Sequence, residues 1–367
     1  MPERTILIAA GGTGGHLYPA LAVAEEIRRE RTDVRVIFVG THDRIESREV
    51  PRAGFPFNPI AIEAPRKSAT GMIKFPFDLA RATLDCMRLM ARERPAVMLG
   101  GGAYLSVPAG VAAWTMRVPI ALLEINSIAG SANKFLAPFA DQLFAAYHES
   151  LAQFPNRLAQ AASVCGTPVR LDLGALDLSK EDARTSFGLD PTRTTILVFG
   201  GSLGARPINQ AMELAASELA TSGYNVLWQT GKSSEAEILR EKFQNQPNVR
   251  ATEYIYEMER AYRAADLVVC RAGASSLAEL ARLAKPAVLV PWSGAMANHQ
   301  EMNALAFERD GAAVVLRDNE VKDRLLETVR ALLCDPEQLR SMAAAMRHRD
   351  TPNAANIVAQ WLLEKVV

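Results

Sequence analysis

Four cysteines in 367 residues, Cys86, Cys165, Cys270 and Cys334, stand far apart with no paired spacing. That excludes a disulfide scaffold and a cysteine-ligated zinc site, and it fits a reducing compartment. Net charge is also missing. The 41 Lys and Arg against 41 Asp and Glu argue against a strongly basic nucleic-acid binder or an acidic tail, while leaving room for a local basic patch. No long apolar run occurs: the most apolar stretch, Ala103 to Leu123, is broken by Pro108, Arg117 and Pro119, which makes a poor spanning helix. The N-terminal run Thr5 to Ala10 stops at Gly11-Gly12, too short for the apolar core of a signal peptide. No Asp-x-Asp pair is present, so the usual carboxylate-bound metal for holding a diphosphate is lacking and the sequence calls for no cofactor.

What is present points to a globular enzyme. Hydrophobic residues make up 49% and charged residues 22%, far from a disordered composition, and the length suggests two domains. Thr5–Ala10 reads as a buried strand, Gly11–His16 as a turn, and Pro19–Arg31 as a helix with Leu21, Ala24 and Ile27 on its apolar side. Val34–Val39, Val97–Leu99 and Pro119–Leu122 are further strands. The pattern restarts with a strand at Thr194–Phe199, a glycine turn and a helix at Pro207–Leu219. Strands at Asn225–Gln229, Val249–Thr252, Leu267–Cys270 and Ala287–Pro291 follow, with helices at Ser275–Leu283 and Gln300–Arg309. Short apolar strands separated by helices predict an α/β fold with parallel sheets. The expected domains are 1–163 and 164–348, with 349–367 carrying a helix, Ala354–Lys365, that crosses back to the first.

Two glycine turns follow strands at matching places: Gly11-Gly12-Thr13-Gly14-Gly15-His16 and Gly200-Gly201-Ser202-Leu203-Gly204. Glycine permits close backbone approach, and a helix starting there offers N–H groups and its positive dipole end, a natural seat for phosphate. Turns needed only for helix–strand packing would use the same glycines; two at equivalent positions favour a ligand. Neither loop is a Gly-x-x-x-x-Gly-Lys-Ser/Thr P-loop. The first also misses the dinucleotide spacing, and Asp33 precedes its strand instead of ending it, which disfavours a nicotinamide enzyme. A third cluster, Gly100-Gly101-Gly102-Ala103-Tyr104, lies at another strand end, where open α/β sheets bind ligands.

Polar residues cluster at the same ends. The segment from Cys270 to Glu279 runs into a helix through small residues, and Glu279, about one turn inside, can accept two hydrogen bonds from vicinal hydroxyls such as those of a ribose. Asn298–Asn303 gives donors and acceptors at another strand tip. His16 ends a glycine loop just before a helix, where the dipole disfavours the imidazolium and leaves a neutral ring able to take a proton. Glu124 and Asn126 follow the Pro119–Leu122 strand toward that rim.

In this order, these segments resemble the MurG family of bacterial glycosyltransferases, nearly end to end. The carriers are Gly11–His16 with Pro19-Ala20-Leu21-Ala22, Gly100–Tyr104, Ile128-Ala129-Gly130 with Asn133-Lys134, and Gly166-Thr167-Pro168-Val169-Arg170. Gly200 to Arg206, Cys270 to Ala274 with Glu279, and His299-Gln300 with Asn303-Ala304 complete the set. The resemblance implies a GT-B fold, two Rossmann-like parallel-sheet domains facing across a cleft. It implies transfer of N-acetylglucosamine from UDP-N-acetylglucosamine, held mainly by the C-terminal domain, to undecaprenyl-diphosphate-linked muramyl pentapeptide in peptidoglycan synthesis. It places Thr13, Gly14, Gly15 and Asn126 near the donor. Around the UDP and sugar it places Arg170, Ser202, Ile255, Ala274, Ser275, Ser276, Leu277, Ala278, Glu279, His299 and Gln300, and on the acceptor side Gly101, Gly102 and Tyr104. The chain departs from the family's usual His-Glu-Gln-Asn with Leu123-Glu124-Ile125-Asn126, and has Leu203 where Gln is common.

The implied reaction inverts the anomeric centre as the muramyl C4 hydroxyl displaces UDP. His16 is the expected base, with Glu124 its orienting partner or rival; Ser202, loop amides and Arg170 are expected to steady the diphosphate. A lipid acceptor implies a peripheral position on the cytoplasmic face of the bacterial cell membrane, among cell-wall synthesis and division proteins, with no nucleic acid. The expected membrane patch is Ile73, Lys74, Phe75 and Phe77, with Arg81, Arg88 and Arg92 near one helix face; a core-packed helix with a solvated basic face would read alike. Rival functions are a glycolipid synthase acting on diacylglycerol, a UDP-N-acetylglucosamine epimerase, and a non-catalytic nucleotide-sugar-binding subunit.

Overall fold

The computed structural model describes residues 4–63, 69–170, 173–174, 176–201, 203–295 and 298–366, with backbone alone for 69–74. The chain divides into two compact units, Met1–Leu171 with Thr351–Val367, and Asp172–Asp350.

The first unit holds seven strands: β1 (Arg4–Ala9), β2 (Val34–Thr41), β3 (Phe57–Ile60), β4 (Val97–Gly100), β5 (Ile120–Glu124), β6 (Gln142–Ala145) and β7 (Ser163–Val164). They pair in parallel in the order β3-β2-β1-β4-β5-β6-β7. The second unit holds β8 (Thr195–Phe199), β9 (Asn225–Gln229), β10 (Val249–Thr252), β11 (Leu267–Cys270), β12 (Ala287–Leu289) and β13 (Ala313–Val315). These too are parallel, in the order β10-β9-β8-β11-β12-β13. Central strands such as Ile6 to Ala9 and Ile196 to Val198 are buried throughout, because helices cover both faces and leave no water-facing side for polar residues. Each sheet reverses its order beside its first strand, between β1 and β4 and between β8 and β11. The chain leaves such a pair in opposite directions and opens a crevice at the strands' C-terminal ends.

Four strands escape the sequence pattern. β3, β7 and β13 are edge strands of two to four residues, and β3 contains Pro59, whose missing N–H only an edge tolerates. β6 carries just four residues. The first helix, α1 (Gly14–Glu30), starts five residues before the expected Pro19, which lies inside it. The last two glycines of the loop are wound into its first turn, so His16 sits on the helix. Four more helices of this unit matter below: α2 (Glu46–Arg52), α3 (Ala69–Glu93), α4 (Ser106–Thr115) and α5 (Ser131–Leu136). Ala82, Cys86, Leu89 and Met90 of α3 and Ala109, Ala112 and Ala113 of α4 bury one apolar cluster with Ile37, Val39 and Met98.

The helix Ala354–Glu364 belongs to the first unit. Asn356 Nδ2 donates to Glu26 (3.1 Å) and Glu30 (2.6 Å) of α1, and Trp361 meets Phe144 edge-on with ring centroids 6.0 Å apart. At Gly166, with φ +87°, a Cβ would fall 2.1 Å from Thr351 Oγ1, so glycine is what lets the returning segment approach. Among the described residues no helix is long and apolar enough to cross a membrane.

Candidate functional site

In the first unit α2 shapes the loop after β1 from below. Glu46 is fully buried; one oxygen accepts the Gly12 N–H (2.9 Å), the other the Thr41 N–H (3.0 Å) and hydroxyl (2.7 Å). A Cβ on Gly11 would lie 2.4 Å from Glu46 Cδ, and one on Gly40 2.5 Å from its Cγ. The glycines therefore leave room for a carboxylate whose burial is made tolerable by three donors. Thr13 flanks α1 without a side-chain cap, and Gly14, Gly15 and His16 form its first turn.

His16 Nδ1 lies 2.9 Å from the Gly101 carbonyl. A carbonyl only accepts, so Nδ1 donates its N–H to it and the bond fixes the ring's orientation. This bond joins the loops that leave β1 and β4, at the crevice itself. Gly102 adopts φ +93°, and a Cβ there would lie 3.2 Å from Asn133 Nδ2 and 3.3 Å from His16 Nδ1. Tyr104 lies over the first loop, 3.5 Å from where a Gly12 Cβ would stand. Burial pushes its phenol up, so it stays a donor.

Glu124, at the end of β5, is 2% exposed. One oxygen accepts the Asn126 N–H (3.0 Å) and Nδ2 (3.2 Å); the other accepts the Gly130 N–H (2.9 Å) and Asn133 Nδ2 (2.9 Å). Asn133 also donates to the Leu123 carbonyl (3.0 Å). The carboxylate thus organises the segment leading into α5, and His16 is not among its hydrogen-bond partners. Leu123 and Ile125 are both buried: the apolar residues that replace the usual polar ones pack into the interior. Arg170 is half-buried near the end of this unit.

In the second unit the loop after β8 folds tightly. Gly204 donates to the Gly201 carbonyl (3.0 Å), and a Gly204 Cβ would lie 2.2 Å from the Thr230 carbonyl oxygen. Ser202 lies outside the described residues, and Leu203 is exposed. Ile255 is buried just after β10. The helix Ala274–Arg282 starts after β11 with Gly273 before it and no side-chain cap. Ala274 and Leu277 are buried; Ser275, Ser276 and Ala278 are half-buried. Glu279, also half-buried, accepts the Tyr262 hydroxyl at 2.8 Å. Burial and the nearby carboxylate hold that phenol protonated, so it fixes the side chain as a donor.

His299 and Gln300 open the helix His299–Arg309. Gln300 Oε1 accepts the Trp292 N–H (3.0 Å). Arg271 braces the segment before them: Nη1 donates to the Val290 (3.0 Å) and Pro291 (3.2 Å) carbonyls and pairs with Asp318, whose other oxygen accepts Ser293 N–H (3.0 Å) and Oγ–H (2.8 Å). The structure thus gathers His16, Gly101, Gly102 and Tyr104 at one crevice with Glu124 and Asn126 close behind. Sequence reasoning missed Glu46, Asp318 and the bracing role of Arg271. Their contacts join residues far apart in the chain, and no local spacing marks them. Among the described residues no group of three or more His, Cys, Asp or Glu gathers that could hold a metal ion.

Residues 6–145 match the glycosyltransferase family 28 N-terminal domain, and residues 195–358 match the glycosyltransferase family 28 C-terminal domain. The chain belongs to glycosyltransferase family 28. Among its family 28 relatives is the Salinibacter ruber protein named UDP-N-acetylglucosamine--N-acetylmuramyl-(pentapeptide) pyrophosphoryl-undecaprenol N-acetylglucosamine transferase, 38% identical over 98% of this chain and 96% of that one. A Myxococcus xanthus protein of the same name is 38% identical over 99% of this chain and 93% of its own. The crystal structure of Acinetobacter baumannii MurG superposes with a TM-score of 0.72 at 28% identity, covering 98% of this chain and 99% of that one. A Neisseria meningitidis UDP-GlcNAc 2-epimerase, 14% identical with a TM-score of 0.70 over 98% of this chain and 99% of that one, shares the fold alone. The two Rossmann-like sheets of this family 28 chain are those of the GT-B class.

Proposed function

We propose that the chain transfers N-acetylglucosamine from UDP-N-acetylglucosamine to the C4 hydroxyl of undecaprenyl-diphosphate-N-acetylmuramyl-pentapeptide, with inversion, as a step of peptidoglycan synthesis. What carries the reading is likeness over almost the whole length, at 38% identity, to proteins named for that transfer. The first unit supports it chemically. His16, oriented through Nδ1, takes the proton of an attacking hydroxyl, work that contributes roughly 100- to 10,000-fold. Glu124 and Asn133 hold the segment beside it. The departing UDP is received by the second unit: the Gly200–Gly204 loop and the uncapped helix at Ala274 offer backbone N–H groups to its charge, and preorganised donors of this kind contribute on the order of 3 kcal/mol each. Glu279, steadied by Tyr262, takes the ribose hydroxyls. Radiolabelled UDP-N-acetylglucosamine with the muramyl lipid tests the reading. Labelled lipid is the expected product; free epimer, or binding without turnover, would replace it with a rival.

The acceptor's lipid places the chain on the cytoplasmic face of the cell membrane, near the wall-synthesis and division machinery. Exposed apolar side chains support this. Phe77 of α3 is 74% exposed, and Leu84 of α3, Trp114 of α4 and Phe135 of α5 are exposed as well. Trp114 packs tilted against Phe139, with ring centroids 4.7 Å apart. Phe75 is half-buried against the core, so Phe77 is the stronger anchor; the side chains of Ile73 and Lys74 lie outside the described residues.

A further inference from the structure

All four hydrogen-bond partners of Glu124 are donors: the Asn126 N–H and Nδ2 on one oxygen, the Gly130 N–H and Asn133 Nδ2 on the other. A carboxylate has about four acceptor positions, so these are taken, and a carboxyl proton would have to point at an N–H. The side chain is a fixed acceptor and not a shuttle for protons. Asn133 is fully buried, and its Nδ2 also donates to the Leu123 carbonyl at 3.0 Å. A carbonyl only accepts, so that contact settles which end of the amide is NH₂. Among the described residues Asn133 Oδ1 is buried without a partner, a cost that a residue kept only to fill space would not carry.

Gly102 lies between this pair and His16. A Cβ on Gly102 would fall 3.2 Å from Asn133 Nδ2 and 3.3 Å from His16 Nδ1; one on Gly130 would fall 3.6 Å from the Gly102 carbonyl oxygen and 3.7 Å from Glu124 Oε2. The preceding carbonyl, of Gly101, is the one that accepts from the imidazole. We infer that Glu124 and Asn133 are positioning residues for His16: one carboxylate oxygen fixes Asn133 and Gly130, these back the Gly101-Gly102 turn, and the turn holds the ring. This rests on the reading of His16 as proton acceptor proposed above.

Turnover of the full chain with labelled UDP-N-acetylglucosamine and the muramyl lipid tests the inference. Asn133→Leu, similar in size and without polar atoms, is expected to lower kcat at least tenfold while calorimetric UDP affinity and the number of UDP sites stay within twofold of the parent. Combined with His16→Ala it should be no more than twofold slower than His16→Ala alone, because both changes act through one ring. Losses that multiply in the double variant, or a parental kcat per UDP site in Asn133→Leu, overturn the inference. Glu124→Gln sets an NH₂ against two of its four donors and should also lower kcat, yet keep the acid limb of the kcat–pH profile. Disappearance of that limb would make Glu124 the base and overturn the inference. Should Asn133→Leu not fold, Gly102→Ala, which presses on the ring from the same side, carries the comparison with His16→Ala. Parental turnover in His16→Ala overturns the reading of His16 itself, an outcome distinct from the others.

Discussion

His16 donates Nδ1–H to the Gly101 carbonyl at 2.9 Å, a bond that ties the loops after β1 and β4 together and sets the orientation of the ring. His16→Ala is expected to lower kcat by about 100- to 10,000-fold while calorimetric UDP affinity stays within twofold. Turnover equal to the parent would remove His16 from the reaction.

The Gly11–Glu46 packing predicts an effect on stability. Gly11→Ala brings a methyl within 2.4 Å of Glu46 Cδ, and overpacking of this kind costs about 1–3 kcal/mol. Glu46→Ala relieves that clash but strands the Gly12 and Thr41 donors, at about 1–3 kcal/mol for each buried group. Urea unfolding of the two single variants and the double variant should show non-additive losses, because both changes act on one contact.

In the second unit, Asp266 ties Lys180 (2.7 Å), Arg184 (2.7 Å) and the Thr195 N–H (2.9 Å) together. Burial pushes its carboxyl up, but Lys180, the Thr195 amide and Arg184 outweigh burial and hold it below the ordinary range. Between the native value and the usual 3.8 the unfolded chain binds more protons, so this stabilisation is present above that range and is lost as pH falls through it. Asp266→Asn leaves Arg184 buried without its counter-charge and is expected to cost about 3–5 kcal/mol. Urea midpoints between pH 7 and pH 3 should fall less steeply in the variant.

For the membrane, Phe77→Asp with Leu84→Asp changes exposed side chains, so melting should stay within a few degrees of the parent. Flotation with vesicles rich in anionic lipid should drop several-fold and should also weaken with added salt. Undiminished flotation of the double variant would rule out this face.

The central strands were legible because buried parallel strands write themselves as apolar runs: Asn225–Gln229 and Leu267–Cys270 lie where the pattern puts them. The edge strands β3, with Pro59, and β7, of two residues, carry no such run and were not. The glycine loops and His16 stood out by local chemistry. The carboxylate beneath the first loop did not, because Glu46 meets Gly12 across 34 positions. Leu123 and Ile125 look like lost polar contacts in the sequence, yet their burial makes them ordinary interior residues.

The return of Thr351–Val367 to the first unit has a bearing on biosynthesis. On the ribosome, every residue of Asp172–Asp350 emerges before Asn356 and Trp361 can reach Glu26 and Phe144. The later unit can therefore mature first, while the earlier one waits for its last helix. A message cut short before Thr351 would release a second unit with all its described strands beside a first unit still missing part of its covering.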